Sequence, residues 1–242
     1  NLGEAWFYKR YILYDEDTTG VAMEMINRSI QQGFNDPYAY YLRGLGLLLN
    51  GESSSASTDF SKAITLKPDF ALAYHDRAGI KRESGDLQGA LYDYKTAVDF
   101  DPEFSLAFNN MGSVKIIMGD YEGGINDFTK AIELDPELFL AYNNRGCARF
   151  NMDEFEAALE DFTQAMQMGE VFTTASMNKA STLAKQNDYQ NALDLMNTTM
   201  ENTDEENALL YVNRGLIKEL TGDKPGACAD WRKALELGYE QA

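Results

Sequence analysis

Two stretches, "AFNNMGSVKIIMGDYEGGINDFTKAIELDP" over 107–136 and "AYNNRGCARFNMDEFEAALEDFTQAMQMG" over 141–169, superimpose on each other with a shift of 34 residues. The same interval separates Pro68, Pro102 and Pro136, and it links Ala39, Ala73, Ala107, Ala141 and Ala175. It also links Ala63, Ala97, Ala131 and Ala165, and the turn-like segments that begin at Gly85, Gly119, Asp153 and Asn187. Agreement at independent places in one frame marks an internal repeat, and a period in this range marks a stacked array.

Inside each unit an apolar pattern of helical period runs for about a dozen residues and breaks at a Gly-Asp or Asn-Asp turn. It then resumes for about another dozen and stops near proline. Each unit therefore reads as a helical hairpin. Small residues mark a close approach of its helices: Gly44, Ala78, Gly112, Gly146, Ala180 and Gly215 on the first are expected to face Ala56, Ala90, Gly124, Ala158, Ala192 and Ala227 on the second. Phe60, Tyr94, Phe128, Phe162, Met196 and Trp231 recur one turn later and are expected to fill the space between successive units.

The bulk properties bound the function. A chain of 242 residues with 44% hydrophobic content can bury a core and is too apolar to be mostly disordered. Its longest apolar runs, such as "LGLLLN" from Leu45, fall short of the roughly 18 residues that a membrane span needs, so no direct span is expected in this segment. The formal net charge of -18, from 39 acidic and 21 basic residues, repels a phosphate backbone, which argues against nucleic acid as a partner. Cys147 and Cys228 lack the spacing of a zinc or redox pair, and His75 is the one histidine, so neither a metal site nor a cofactor is expected. No phosphate loop or paired nucleophile and base appears, and a non-enzymatic role is expected. The chain opens with Asn1, as a processed or excised piece does, and two thiols fit a cytoplasmic or a periplasmic location.

The order of residues in the two quoted stretches follows, almost position by position, the pattern of an aromatic, a small residue four positions on, a Gly-Asp-aromatic turn, alanine, aromatic, alanine and a closing proline. It resembles the tetratricopeptide repeat over nearly the whole chain, in the bacterial type of that family. The resemblance implies an all-α fold, a right-handed superhelical solenoid of about seven hairpins in a single array over 1–242. The units fall near 3–36, 37–70, 71–104, 105–138, 139–172, 173–207 and 208–242. Three units depart from the pattern. The first carries Arg10 at the small position, the second has Ser53 at the turn and the run "SSSAS", and the sixth has Lys179, Leu195 and Thr199 in place of Arg, Asp and Ala. The frame holds on both sides of "SSSAS", so an ordinary helix start is expected there.

In this family the second, fifth, sixth, ninth, twelfth and thirteenth positions of each unit line a concave groove. Asparagine is a poor helix former, yet the sixth position holds Asn110, Asn144, Asn178 and Asn213, with Asn109 and Asn143 beside two of them at the fifth. An amide offers a donor and an acceptor, so such a row can hold a peptide backbone without reading its side chains. The resemblance implies an asparagine ladder that grips an extended segment of an unidentified partner protein or peptide. Bonding to water or to a neighbouring loop remains the alternative. Phe7, Tyr8, Tyr11, Tyr14, Tyr38, Tyr41, Leu42, Leu45 and Leu48 form an aromatic and apolar floor at the other end. It is either a contact site, with Tyr11, Tyr38, Tyr41, Leu42 and Leu45 as contacts and a homodimer or scaffold as one outcome, or it is covered in part by the first unit or by an upstream helix.

His75, Asp76, Arg82 and Glu83 form a charged waist, where adjacent helical residues are not expected to face each other. The Lys, Asn and Arg clamp of chaperone-binding members is missing. Arg43, Arg77, Arg145 and Arg214 recur with Asp59, Asp93, Asp161 and Asp230, which predicts an exposed ion pair inside each hairpin worth at most about 1 kcal/mol.

Overall fold

The computed structural model describes residues 16–167, 169–203 and 207–239. Every regular element among them is a helix. They are α1 (Glu16–Gln31), α2 (Pro37–Leu49), α3 (Ser53–Leu66), α4 (Ala71–Glu83), α5 (Leu87–Phe100), α6 (Ser105–Ile117), α7 (Tyr121–Leu134), α8 (Phe139–Asn151), α9 (Phe155–Ala165), α10 (Gly169–Lys185), α11 (Tyr189–Glu201), α12 (Ala208–Leu220) and α13 (Lys224–Glu236). The run "SSSAS" lies in α3 as an ordinary helix start. Phe7, Tyr8, Arg10, Tyr11 and Tyr14 lie outside the described residues.

The turns follow from local chemistry. Gly85, Gly119 and Gly222 close a first helix in the left-handed region, at φ of 85°, 84° and 85°, where only glycine pays no Cβ penalty. The next residue, Asp86, Asp120 or Asp223, then caps the second helix by accepting from the backbone N–H of Gly89, Gly123 or Gly226 at 2.9–3.0 Å. In "DEF" and "NDY" the left-handed place is taken by Asp153 (φ 60°) and Asn187 (φ 63°). Helices α3, α5 and α7 stop at Lys67, Asp101 and Asp135, each extended because proline follows.

The chain divides into two compact units, Asn1–Met118 and Gly119–Ala242. In the first, Tyr41, Phe60 and Tyr94 are the largest side chains of a continuous core that takes in Phe70, Leu72 and Val114. In the second, Phe128, Phe162 and Met196 are buried, and Met196 packs with Leu210 and Ile217. At three of the small positions the nearest neighbour is an aromatic side chain of the same hairpin. A Cβ at Gly44 would lie 2.6 Å from Cε1 of Phe60, and one at Gly146 would lie 2.6 Å from Cε1 of Phe162. A Cβ at Gly215 would strike the Trp231 indole. The glycine thus makes room for the aromatic of its own hairpin, and Ala56, Ala158 and Ala227 on the second helices are buried.

The Arg–Asp pairs form, and they are not the exposed pairs expected. Arg43 reaches Asp59 with two bonds of 2.6 and 2.7 Å, and Arg77 reaches Asp93 with two of 2.8 Å. Arg145 pairs with Asp161 at 2.7 Å and Arg214 with Asp230 at 2.6 Å. The four carboxylates keep 7%, 0%, 3% and 6% of their side-chain surface. A second cation joins three of them at 2.8 Å: Lys81 on Asp93, Arg149 on Asp161 and Lys218 on Asp230. The guanidinium also reaches back to the second helix of the preceding hairpin, Arg77 to Ser61, Arg145 to Thr129 and Arg214 to Asn197, at 2.9–3.1 Å. In the sixth hairpin Lys179 keeps only that backward bond, to Thr163 at 2.9 Å. One side chain therefore fastens its own hairpin and ties it to the one before.

Candidate functional site

The fifth position of one hairpin bonds to the sixth of the next. Within the first compact unit the Tyr41 hydroxyl donates to Asp76 Oδ2 at 2.7 Å, and Asp76 Oδ1 meets His75 Nδ1 at 2.8 Å. His75 Nε2 then accepts from Asn110 Nδ2 at 2.9 Å, while Asn110 Oδ1 accepts from Asn109 Nδ2 at 3.2 Å. His75 and Asp76 do face each other, contrary to the sequence expectation. Tyr41 from the preceding hairpin holds the carboxylate, and the Phe104 ring lies 4.8 Å from the imidazole. Burial, reinforced by the Asp76 charge and its hydrogen bond, pushes the Tyr41 hydroxyl well above its usual range. Burial also pushes Tyr94, whose ring stands 5.5 Å from His75, up to about 12. His75, Asp76, Tyr94 and Asn110 line a cleft of about 420 Å³ with Leu48, Ser53, Arg82 and Glu83.

The second compact unit repeats the rule. Asn178 Nδ2 donates to Asn143 Oδ1 at 3.0 Å and to Cys147 Sγ at 3.3 Å. Asn213 Nδ2 donates to the Leu209 carbonyl at 2.8 Å and to Met177 Sδ at 3.4 Å. In both residues the amide nitrogen is held internally. Among the described residues the two Oδ1 atoms have no protein partner, and neither is sealed from solvent. Asn144 stands half-buried on the same line.

The expected site residues are thus sorted by their surroundings. Asn178 and Asn213 each present an open acceptor, whereas Asn110 has both ends of its amide bonded. Asn109 and Asn143 are 1% and 7% exposed, which corrects their placement as flanking contacts and makes them buried supports. The apolar floor is corrected as well: Tyr41 and Leu45 are 0% and 6% exposed, because Tyr41 packs between the rings of Phe60 and Phe70. Tyr38 and Leu42 are half-buried, with Tyr38 against Phe70 at 5.0 Å. A Cβ at Gly46 would strike Met23, so α1 lies directly on α2.

Two features of the second unit were missed. Cys147, Phe150, Asn151, Phe162, Asn178 and Ser181 line a pocket of about 240 Å³, in which burial pushes the Cys147 thiol up to about 11. Leu140, Leu209, Leu216 and Leu220 also leave the first helices as exposed apolar side chains. The signal for the bonds was an offset of 35 rather than 34, which pairs unlike positions and escapes a search for identical ones.

Comparison with known proteins agrees with this fold. Tetratricopeptide repeat models match residues 106–138 and 143–207. PilF of Pseudomonas aeruginosa is similar in structure, with a TM-score of 0.71 at 21% identity over 85% of this chain and 93% of that one. A tetratricopeptide repeat protein from Parabacteroides merdae has a TM-score of 0.71 at 21% identity, over 97% of this chain and 94% of that one. YrrB, described as a repeat protein with an unusual peptide-binding site, has a TM-score of 0.59 at 22% identity, over 75% of this chain and 93% of that one. No curated protein matches the chain. With its hairpin period, its glycine and aspartate turns and these matches, the chain carries the tetratricopeptide repeat and has the fold of that family.

Proposed function

We propose that the protein is a non-enzymatic interaction module that holds an extended segment of a partner protein along the first helices of its second compact unit. Asn178 and Asn213 contact the partner backbone, with Asn144 on the same line. Asn143 positions Asn178 from beneath, and Asn109 and Asn110 form the corresponding support in the first unit. The observation that carries this reading is the pair of open amide oxygens, each fixed because its own nitrogen is bonded internally. A preorganised acceptor loses little freedom on binding, and that lowers the cost of association. Similarity to YrrB, a protein described by its peptide-binding site, supports the same reading. At about 0.5–1.5 kcal/mol for each hydrogen bond, and with association costs of several kcal/mol, affinities near micromolar are expected.

The test is selection from a displayed library of random peptides of about twelve residues, followed by affinity measurement on the wild type and on Asn178→Ala/Asn213→Ala. The reading expects enriched peptides that bind the variant about tenfold more weakly at an unchanged melting temperature. Enriched peptides that bind both proteins equally would overturn it.

A further inference from the structure

The two asparagines offer acceptors only, at a fixed repeat. Helices α8, α10 and α12 lie side by side, with Cα atoms of α8 and α10, and of α10 and α12, within 8 Å. Equivalent positions on packed neighbouring helices stand about 8–10 Å apart. A β-strand turns its N–H groups to one side at every second residue, about 6.7 Å, and so falls out of step with that spacing. A polyproline II helix repeats every three residues at about 3.1 Å each, which places an N–H on one side every ~9.3 Å. Its backbone makes no internal hydrogen bonds, so those N–H groups are available, and residues between them can be proline at no loss.

Resting on the peptide-binding reading above, we infer that this face takes a polyproline II segment of a partner protein. One residue in three donates its N–H to Asn178 or Asn213, and an apolar side chain of the segment sits in the pocket between Cys147, Phe150 and Phe162. The pocket, at about 240 Å³, adjoins Asn178, so a residue bonded there places its side chain within reach. Exposed Leu209, Leu216 and Leu220 give apolar contact farther along the same face. The net charge of -18 favours a segment flanked by lysine or arginine over an acidic one.

The probe is a fluorescein-labelled, lysine-capped peptide of about four Leu-Pro-Pro triplets, read by fluorescence anisotropy. Its comparators are a Leu-Thr alternating peptide of equal length, a Leu-Gly-Gly peptide, and the triplet peptide with N-methylleucine, which lacks the N–H. The triplet peptide should bind about tenfold more tightly than each comparator, and Asn213→Ala, at unchanged melting temperature, should remove most of that difference. Filling the pocket by Ser181→Phe should abolish the preference for leucine over alanine in the triplet. A Leu-Thr peptide that binds as tightly as the triplet and is still weakened by Asn213→Ala would overturn the conformational inference and leave the groove intact. Binding of all these peptides that is indifferent to the asparagines would overturn both.

Discussion

At the scale of the residue, the asparagine pairs are the clearest case of a sequence feature with two jobs. The first of each pair is buried and reaches into the stack, and the second stands half-exposed above it. The sequence sets asparagines at equivalent positions of successive first helices and does not tell which amide ends are free, since that depends on helix rotation of less than one residue. Tyr41 was misplaced for the same reason. Another residue-level feature is Asp153, which holds φ of 60° at a turn where most sister hairpins use glycine. Asp153→Gly should raise stability by ~0.5–1 kcal/mol in urea unfolding, and a loss would show that the aspartate side chain contributes to the turn. Burial holds Cys147 at about 11, so at pH 8 it should react with iodoacetamide at least about tenfold more slowly than exposed Cys228. Peptide mapping after timed quenching reads both sites, and equal rates would contradict the buried thiol.

At the scale of the element, the hairpins were legible because their signals are local: glycine for the left-handed turn, aspartate for the cap, proline for the stop. The Arg–Asp pairs were legible too, since both partners recur in one frame, but their burial was not. Asp93 has no exposed surface and two cations on it, so Asp93→Ala leaves charge unpaired beside the core and should cost about 2–4 kcal/mol by urea midpoint. A cost below about 1 kcal/mol would return these pairs to the surface class. Asp230 adds a pH signature. Burial pushes its carboxyl up, but hydrogen bonds from Arg214 and Lys218 outweigh that and hold it below the usual carboxylate range. A depressed carboxyl contributes stability above its unfolded pKa of about 3.9, and this share is lost as pH falls through the lower folded value. Asp230→Asn should therefore be less stable than wild type at pH 7, and the gap should close on acidification below about pH 4. A gap independent of pH would assign the loss to packing.

At the scale of the whole molecule, the repeat period decided the fold class, because stacking identical hairpins leaves one architecture open. The site was less legible, because the residues that differ among repeats carry it: a cysteine and a phenylalanine beside one asparagine make a pocket that the period itself does not encode. The strong negative charge acts at this scale as well, and the proposed attraction of basic segments should weaken as salt is added. The most direct test of the central claim is the affinity of a display-selected peptide for wild type and for Asn178→Ala/Asn213→Ala, once both melt at the same temperature. A loss of about tenfold is predicted, from two acceptors removed from the face. An unchanged affinity would mean that the asparagines only stitch the hairpins together and that the partner binds elsewhere.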